Sequence, residues 1–363
     1  MNAIHRTYIK FKNRSTFLMA QLNRQENPPL YHYPYKNMVF KGGGIRGLAY
    51  CGALEVLENR GILMQIERVA GTSAGAITAA LLSLRLTHRE IMNLFSSLDY
   101  SKVPQVHTVQ TRSVEIMNAL GLRNGELACT SRLINEFGWY SSQYFYDWMQ
   151  AVVAQHCGGD GRATFADFHK KGFRELHIVA ANISKYRSEV FSYETTPTVA
   201  VADAVRMSIS IPFFFQALRF DGSQFGQGDY YVDGGLYDNF PIRIFDAPEY
   251  SRDNPWYIKG VNWQTLGCYL YPELSPQDME KDPQSLREYL ELTVDNLFDS
   301  FQKANYERNS LDQKRTIKIN DCGVSPIRFD IPVGSATYMN LIESGRSSAN
   351  QFLDVDYPKE VFV

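Results

Sequence analysis

Gly71-Thr72-Ser73-Ala74-Gly75 sets a serine between two glycines, where a short apolar run, Gln65 to Ala70, gives way to an Ala/Leu-rich one. This is the G-x-S-x-G pattern of a nucleophile held on a strained strand-to-helix turn with its hydroxyl exposed. Gly71 and Gly75 are needed because a side chain at either position would strike the neighbouring strand or helix. Serine is a weak nucleophile unaided, so a base and donors for an oxyanion have to come from elsewhere. Gly42-Gly43-Gly44 offers backbone N–H groups free of Cβ bulk near a helix N-terminus, suited to the negative oxygen of a tetrahedral intermediate. Asp233-Gly234-Gly235 offers a carboxylate where an aromatic and β-branched run, Gly228 to Val232, enters a glycine turn.

Each pattern has a second reading. A lone G-x-S-x-G turns up by chance in roughly one chain in ten of this length. Gly42, Gly44 and Gly47 also satisfy G-x-G-x-x-G, the loop of a nucleotide-binding α/β protein, but that reading wants an acid at the end of the second strand. Here the strand ends Val69-Ala70-Gly71, and Glu67 lies near its start. Asp233 read alone is a turn residue accepting backbone N–H groups; beside the serine and the glycine loop it becomes a candidate base. Asp238, its nearest rival, precedes Asn239-Phe240-Pro241 and reads as a loop or cap residue.

Strands and helices have to position these groups. The order from Asn37 to Leu84 is strand, glycine loop, helix to Gly61, strand, serine turn, helix. In a parallel sheet both turns open at the carboxyl ends of their strands, where open α/β sheets hold ligands. Ala74 to Leu84 is too apolar for a surface helix and is expected behind the serine. Thr87-His88-Arg89-Glu90 is a capping box that opens another helix. Tyr100 to Gly125 loses periodicity and reads as a variable loop that borders or covers the site. Further strands are expected at Glu175 to Asn182, Glu189 to Tyr193, Trp263 to Tyr271, Thr316 to Ile319 and Phe329 to Ile331. Helices are expected at Thr164 to Gly172, Val199 to Met207, Pro283 to Asn305 and Gly334 to Leu353. The cluster Phe137 to Trp148 suits either an apolar wall for acyl chains or a buried helix, and Phe213-Phe214-Phe215 suits core or pocket.

Taken together, the glycine loop with Arg46, the G-x-S-x-G and Asp233-Gly234-Gly235 resemble the three signature blocks of the patatin-like phospholipases. Ala204 to Phe215 is similar to that family's segment leading into the aspartate strand. Order and spacing agree from Met38 to Ile242, and the tail to about Leu353 is compatible but carries no signature. The family tolerates Gly or Ala after its second signature glycine; this chain has Gly235. The resemblance implies a three-layer α/β/α fold with a mostly parallel central sheet, and a Ser-Asp dyad without a catalytic histidine. Ser73 matches the nucleophile, Asp233 the base, Gly42 to Gly44 the oxyanion loop, and Arg46 the arginine that holds or polarises that loop. It also implies hydrolysis of acyl esters in phospholipids, lysophospholipids or neutral lipids through an acyl-enzyme, with no metal and no cofactor. The substrate would be met at a membrane surface by peripheral association. The family includes bacterial effectors delivered to host cells and members that need an activator protein or a small-molecule signal. A lipid-binding or signalling module without turnover, and a carboxylesterase for soluble esters, stand as alternatives.

Bulk properties agree. The 363 residues suit one large α/β domain or two modest ones, and 44% hydrophobic with 21% charged residues is ordinary for a globular chain. A net charge of −2 implies no global attraction to nucleic acid. Five scattered cysteines give no disulfide framework and no zinc spacing, so a reducing cytoplasm is the expected setting; seven histidines show no metal spacing, and His177 reads as structural. Residues 1–36 form a basic arm and linker, with Arg6, Lys10, Lys12, Arg14, Arg24 and Lys36 against Glu26. The arm suits packing on the core or contact with anionic lipid, and no apolar run follows its charges as a secretory signal requires. The expected organisation is this arm, a catalytic domain over 37–353 and a tail over 354–363, with no run long enough to span a membrane.

Overall fold

The computed structural model describes residues 33–103, 135–272 and 306–358, with a few isolated positions between them. Met1–Pro34 and Tyr35–Val363 form two compact units, and the architecture below is that of the second. The basic arm to residue 32, the loop beyond Val103, Cys129, all but isolated positions of the helix expected from Pro283 to Asn305, and the last five residues lie outside the described residues.

The strands are β1 (Asn37–Phe40), β2 (Arg68–Thr72), β3 (Gly138–Tyr140), β4 (Glu175–Asn182), β5 (Arg187–Phe191) and β6 (Phe213–Phe215). They continue with β7 (Leu218–Phe220), β8 (Asp229–Asp233), β9 (Tyr257–Ile258), β10 (Val261–Asn262), β11 (Thr265–Tyr271) and β12 (Thr316–Asn320). The helices are α1 (Ala49–Asn59), α2 (Ala74–Ser83), α3 (His88–Ser97), α4 (Gln143–His156) and α5 (Phe165–Lys170). After them come α6 (Val201–Ser208), α7 (Pro248–Ser251), α8 (Ser310–Lys314) and α9 (Ala336–Gln351).

β12, β11, β1, β2 and β4 lie side by side in that order and all run parallel. Parallel strands need both faces covered, and here both are. Val39, Ala70 and Tyr269 pack against Phe240, Ile242 and Phe245. The alternate residues Met38, Phe40, Val69 and Cys268 are equally buried. α2 packs on β1, β2 and β4, and its interior is apolar all round, as its Ala/Leu content requires. α9 lies on α1 and β12. A Cβ at Gly52 would strike the Ile342 carbonyl and one at Gly345 the Ala49 carbonyl, so these glycines let the two backbones touch.

The antiparallel strands decide where the site forms. β5 pairs with Ile178–Asn182 along one edge of β4. On the other edge β2 runs up to the pair Thr72↔Val179, while β8 comes from the opposite direction and stops at Asp233↔Ala180. Two strands thus end one register step apart, carboxyl end facing carboxyl end.

Most expected elements are present, α3 with its full Thr87/Glu90 capping box. Two readings are corrected. Phe329 to Ile331 forms no strand, since no neighbour pairs with it. Phe137 to Trp148 is split: β3 pairs with β6 across Gly138↔Phe213, and only then does α4 begin.

Candidate active site

Ser73 sits between β2 and α2 with φ 54° and ψ −124°, a backbone conformation that L-residues rarely adopt. Such strain costs on the order of 1–3 kcal/mol and persists only where the surroundings over-determine it. They do so here. A Cβ at Gly71 would strike the Gly75 carbonyl, and one at Gly75 the Phe40 carbonyl. The Ser73 N–H donates to Ser208 Oγ at 2.9 Å, and that hydroxyl donates to the Val179 carbonyl at 2.6 Å. The turn is therefore tied to β4 through α6.

Asp233 is the last residue of β8 and is 1% exposed. Its N–H donates to the Ser210 carbonyl at 2.8 Å, and Gly235 N–H donates to its Oδ1 at 2.7 Å. Oδ2 is buried without a hydrogen bond of normal geometry. Burial pushes the carboxyl up to about 7, against the opposing pull of the Ser73 hydroxyl and the Gly235 amide. Ser73 thus acts on the carboxyl without a well-formed hydrogen bond, and no basic side chain is among the groups that shift it. Gly234 must be glycine, because a Cβ there would strike the Val179 carbonyl.

The glycine loop follows β1, the strand beside β2. Of its three amides Gly42 is already committed, donating to the Asn239 carbonyl at 2.9 Å, so the expectation of three free donors is corrected to two. Among the described residues the N–H groups of Gly43 and Gly44 have no intramolecular acceptor. Gly44 has φ +56°, and a Cβ there would strike the Pro326 carbonyl. Arg46 is buried and turned toward the loop backbone, with Nε donating to the Gly43 carbonyl at 3.1 Å and Nη1 to Asp321 Oδ2 at 2.7 Å. Glu67 precedes β2 at its amino end and is paired with Lys36, away from the strand end where a nucleotide site would need its acid.

Gly44 and Ser73 open onto one narrow cavity of about 50 Å³ walled by Leu48, Ile77, Phe95, Phe145, Ile209 and Phe215. Phe145 comes from the aromatic cluster and Phe215 from the phenylalanine triplet, while Phe214 packs on Tyr140 and Phe213 and Phe137 are exposed. Tyr100 also borders the cavity, with its hydroxyl tied to the Phe95 carbonyl at 2.8 Å. Asp238 borders a separate open depression of about 630 Å³ and not this cavity; burial pushes its carboxyl up to about 6. Among the described residues no three His, Cys, Asp or Glu side chains are grouped to hold a metal.

The profile of the patatin-like phospholipase family matches residues 38–246, a span that takes in the glycine loop, Ser73 and Asp233. The chain belongs to this family. It is 30% identical to YqhO of Bacillus subtilis (strain 168) over 281 residues, 76% of this chain and 83% of that protein. It is 28% identical to the probable lipid hydrolase 463L of Invertebrate iridescent virus 6 over 249 residues, 68% of this chain and 76% of that one. VipD from Legionella pneumophila shares the fold, with TM-score 0.52 and 18% identity over 88% of this chain and 67% of that chain. Membership of the patatin-like family supports a lipid hydrolase function, and no helix among the described residues is long and apolar enough to cross a membrane.

Four residues that brace this patatin-like site escape sequence reasoning. Ser208 and Ser210 alternate within the block Ala204 to Phe215, and the alternation is their only signal. Asn239 reads as an ordinary loop residue, yet it is 4% exposed and its carbonyl holds Gly42. Asp321 has no local signal, because its partner is far away in the sequence.

Proposed function

We propose that this chain hydrolyses carboxylic esters of phospholipids or lysophospholipids through an acyl-enzyme on Ser73, with Asp233 as the base. The observation that carries the reading is the meeting of β2 and β8 on one edge of β4. It brings a strained serine and an uncompensated buried carboxyl together beside two free amides and an apolar cavity.

Asp233 takes the Ser73 proton as the serine oxygen attacks the ester carbonyl. The carbonyl oxygen becomes an oxyanion held by the Gly43 and Gly44 amides, each donor contributing about 3 kcal/mol to the transition state. The tetrahedral intermediate collapses with the proton passed to the leaving alcohol, and water, activated by the same carboxylate, then releases the fatty acid. A carboxylate held near neutrality is a stronger base than an exposed aspartate, and it is still ionised in a large fraction of molecules at pH 7. Sites for organic ligands usually span about 300–1,000 Å³, so an acyl chain enters the cavity only as its walls separate. Contact with a lipid surface is the natural trigger, and an activator protein or a small-molecule signal is an alternative one.

The test is labelling with a fluorophosphonate, wild type against Ser73→Ala, with and without phospholipid vesicles, followed by fatty-acid release from diacyl and monoacyl phospholipids. Labelling confined to wild type and ester cleavage at the same site are expected. Turnover by a folded Ser73→Ala protein would sink the mechanism.

A further inference from the structure

The carboxyl ends of the parallel strands all point one way, so the segment after β12 reaches the loop after β1 across β11. Asp321, the first residue beyond β12, lies there at 1% exposure, outside the matched span 38–246. Its Oδ2 accepts Arg46 Nη1 at 2.7 Å, and its Oδ1 accepts the Gly323 N–H at 3.0 Å. The ion pair is sealed from water, with the two side chains 7% and 1% exposed. A few residues on, the Pro326 carbonyl accepts the Ile45 N–H at 2.9 Å.

The Gly43 carbonyl receives both the Arg46 side chain, at 3.1 Å, and the Arg46 N–H, at 3.2 Å. In a planar trans peptide the C=O and the following N–H point in opposite directions. Fixing the Gly43 carbonyl on Arg46 therefore fixes where the Gly44 N–H points, which is away from Arg46, and Gly44 shares its cavity with Ser73. Glycine has the backbone freedom to turn this peptide over, so the direction has to be imposed from outside. A guanidinium with one anchored nitrogen can impose it; one without a counter-ion would be drawn toward water.

We infer that Asp321 is a positioning residue for the oxyanion loop: it anchors Arg46, Arg46 holds the Gly43 carbonyl, and the Gly44 N–H is thereby aimed toward the ester carbonyl at Ser73. The inference rests on the serine hydrolase reading above. It adds a segment beyond the matched span to the machinery, and it gives Arg46 a structural role acting through the backbone, with no contact to substrate.

The experiment compares wild type, Asp321→Asn, Asp321→Glu, Arg46→Ala and the double variant Arg46→Ala/Asp321→Asn in the full chain. Steady-state kinetics on a soluble p-nitrophenyl ester and the rate of fluorophosphonate labelling are measured, with circular dichroism as the check on folding. Asp321→Asn should lower kcat roughly tenfold to a hundredfold, less than the loss of a whole oxyanion donor, with KM within about twofold. Labelling should slow in proportion, because the phosphonyl oxygen uses the same amides. Asp321→Glu should recover part of kcat, and the double variant should be no slower than Arg46→Ala alone. Should Asp321→Asn fail to fold, Arg46→Met/Asp321→Leu removes both charges together and must show the same loss of kcat. An active wild type whose kcat is unmoved by Asp321→Asn, or losses that simply add, would overturn the inference alone. A wild type that neither labels nor turns over would overturn the serine hydrolase reading itself.

Discussion

Two regions of the molecule bury carboxylates and treat them in opposite ways. Near the start of β12, Arg315 is fully buried and forks onto Asp246, with both nitrogens at 2.7 Å, while one of them also reaches Asp312 at 2.7 Å. Arg243 takes the other oxygen of Asp312 at 2.9 Å, and the Asn262 N–H takes Asp246 at 2.8 Å. At the other end of the parallel sheet, beyond the carboxyl ends of the strands, Asp233 has one amide, one serine and no cation. Around Arg315 the scaffold pairs its acids with cations, whereas the site leaves one under-satisfied. A buried charge without a partner is costly, so its persistence at the proposed base marks where stability is given up for reactivity.

The contrast breaks most sharply at Asp233. Asp233→Asn should cut ester turnover by about 10²–10⁴, measured on monoacyl phospholipid at equal folded concentration. In the wild type, kcat/KM should fall as pH drops through about 7, as the carboxyl takes up its proton. A profile flat from pH 5 to 9 would remove Asp233 as base.

Arg315→Met should do the reverse, leaving Asp246 without its cation and Asp312 with Arg243 alone. A loss of about 3–5 kcal/mol is expected in urea unfolding, with turnover per folded molecule unchanged. A smaller effect sharpens the same comparison. The folded pKa of Asp233 lies above that of an unfolded chain, so its protonation favours the fold. That contribution is complete below about pH 3.9 and lost as pH rises through about 7. Asp233→Asn should therefore be more stable than wild type by a few kcal/mol at pH 9 and equal to it near pH 4, seen as a pH-dependent difference in melting temperature. The smallest effect concerns the cavity: Ile77→Phe should lower the ratio of long-chain to short-chain ester hydrolysis about tenfold, a loss absent if acyl chains bind elsewhere.

The elbow and the glycine loop were legible in the sequence because both are local. Ser73 needs glycines at fixed offsets, and Gly44 needs a positive φ; these demands act within a turn and leave a readable pattern. β1, β2, β4, β5, β8, β11, β12 and the buried α2 were legible for the same reason, through hydrophobic runs of the right length, whereas the short strands β3, β6, β7, β9 and β10 leave no such run. Phe329 misled, because an apolar residue that fills a cavity wall carries the same signal as one in a strand.

The sequence by itself determined which residues are candidates for the chemistry and which turns they occupy, because glycine content, serine and aspartate placement and apolar periodicity act over a few residues. Only the tertiary structure decided that β8 runs antiparallel into the end of β2, that Gly42 spends its amide on Asn239, and that Asp321 reaches Arg46. Those outcomes depend on register and sheet order, which arise from packing across the whole core. No residue near Gly42 or Arg46 in the chain records them.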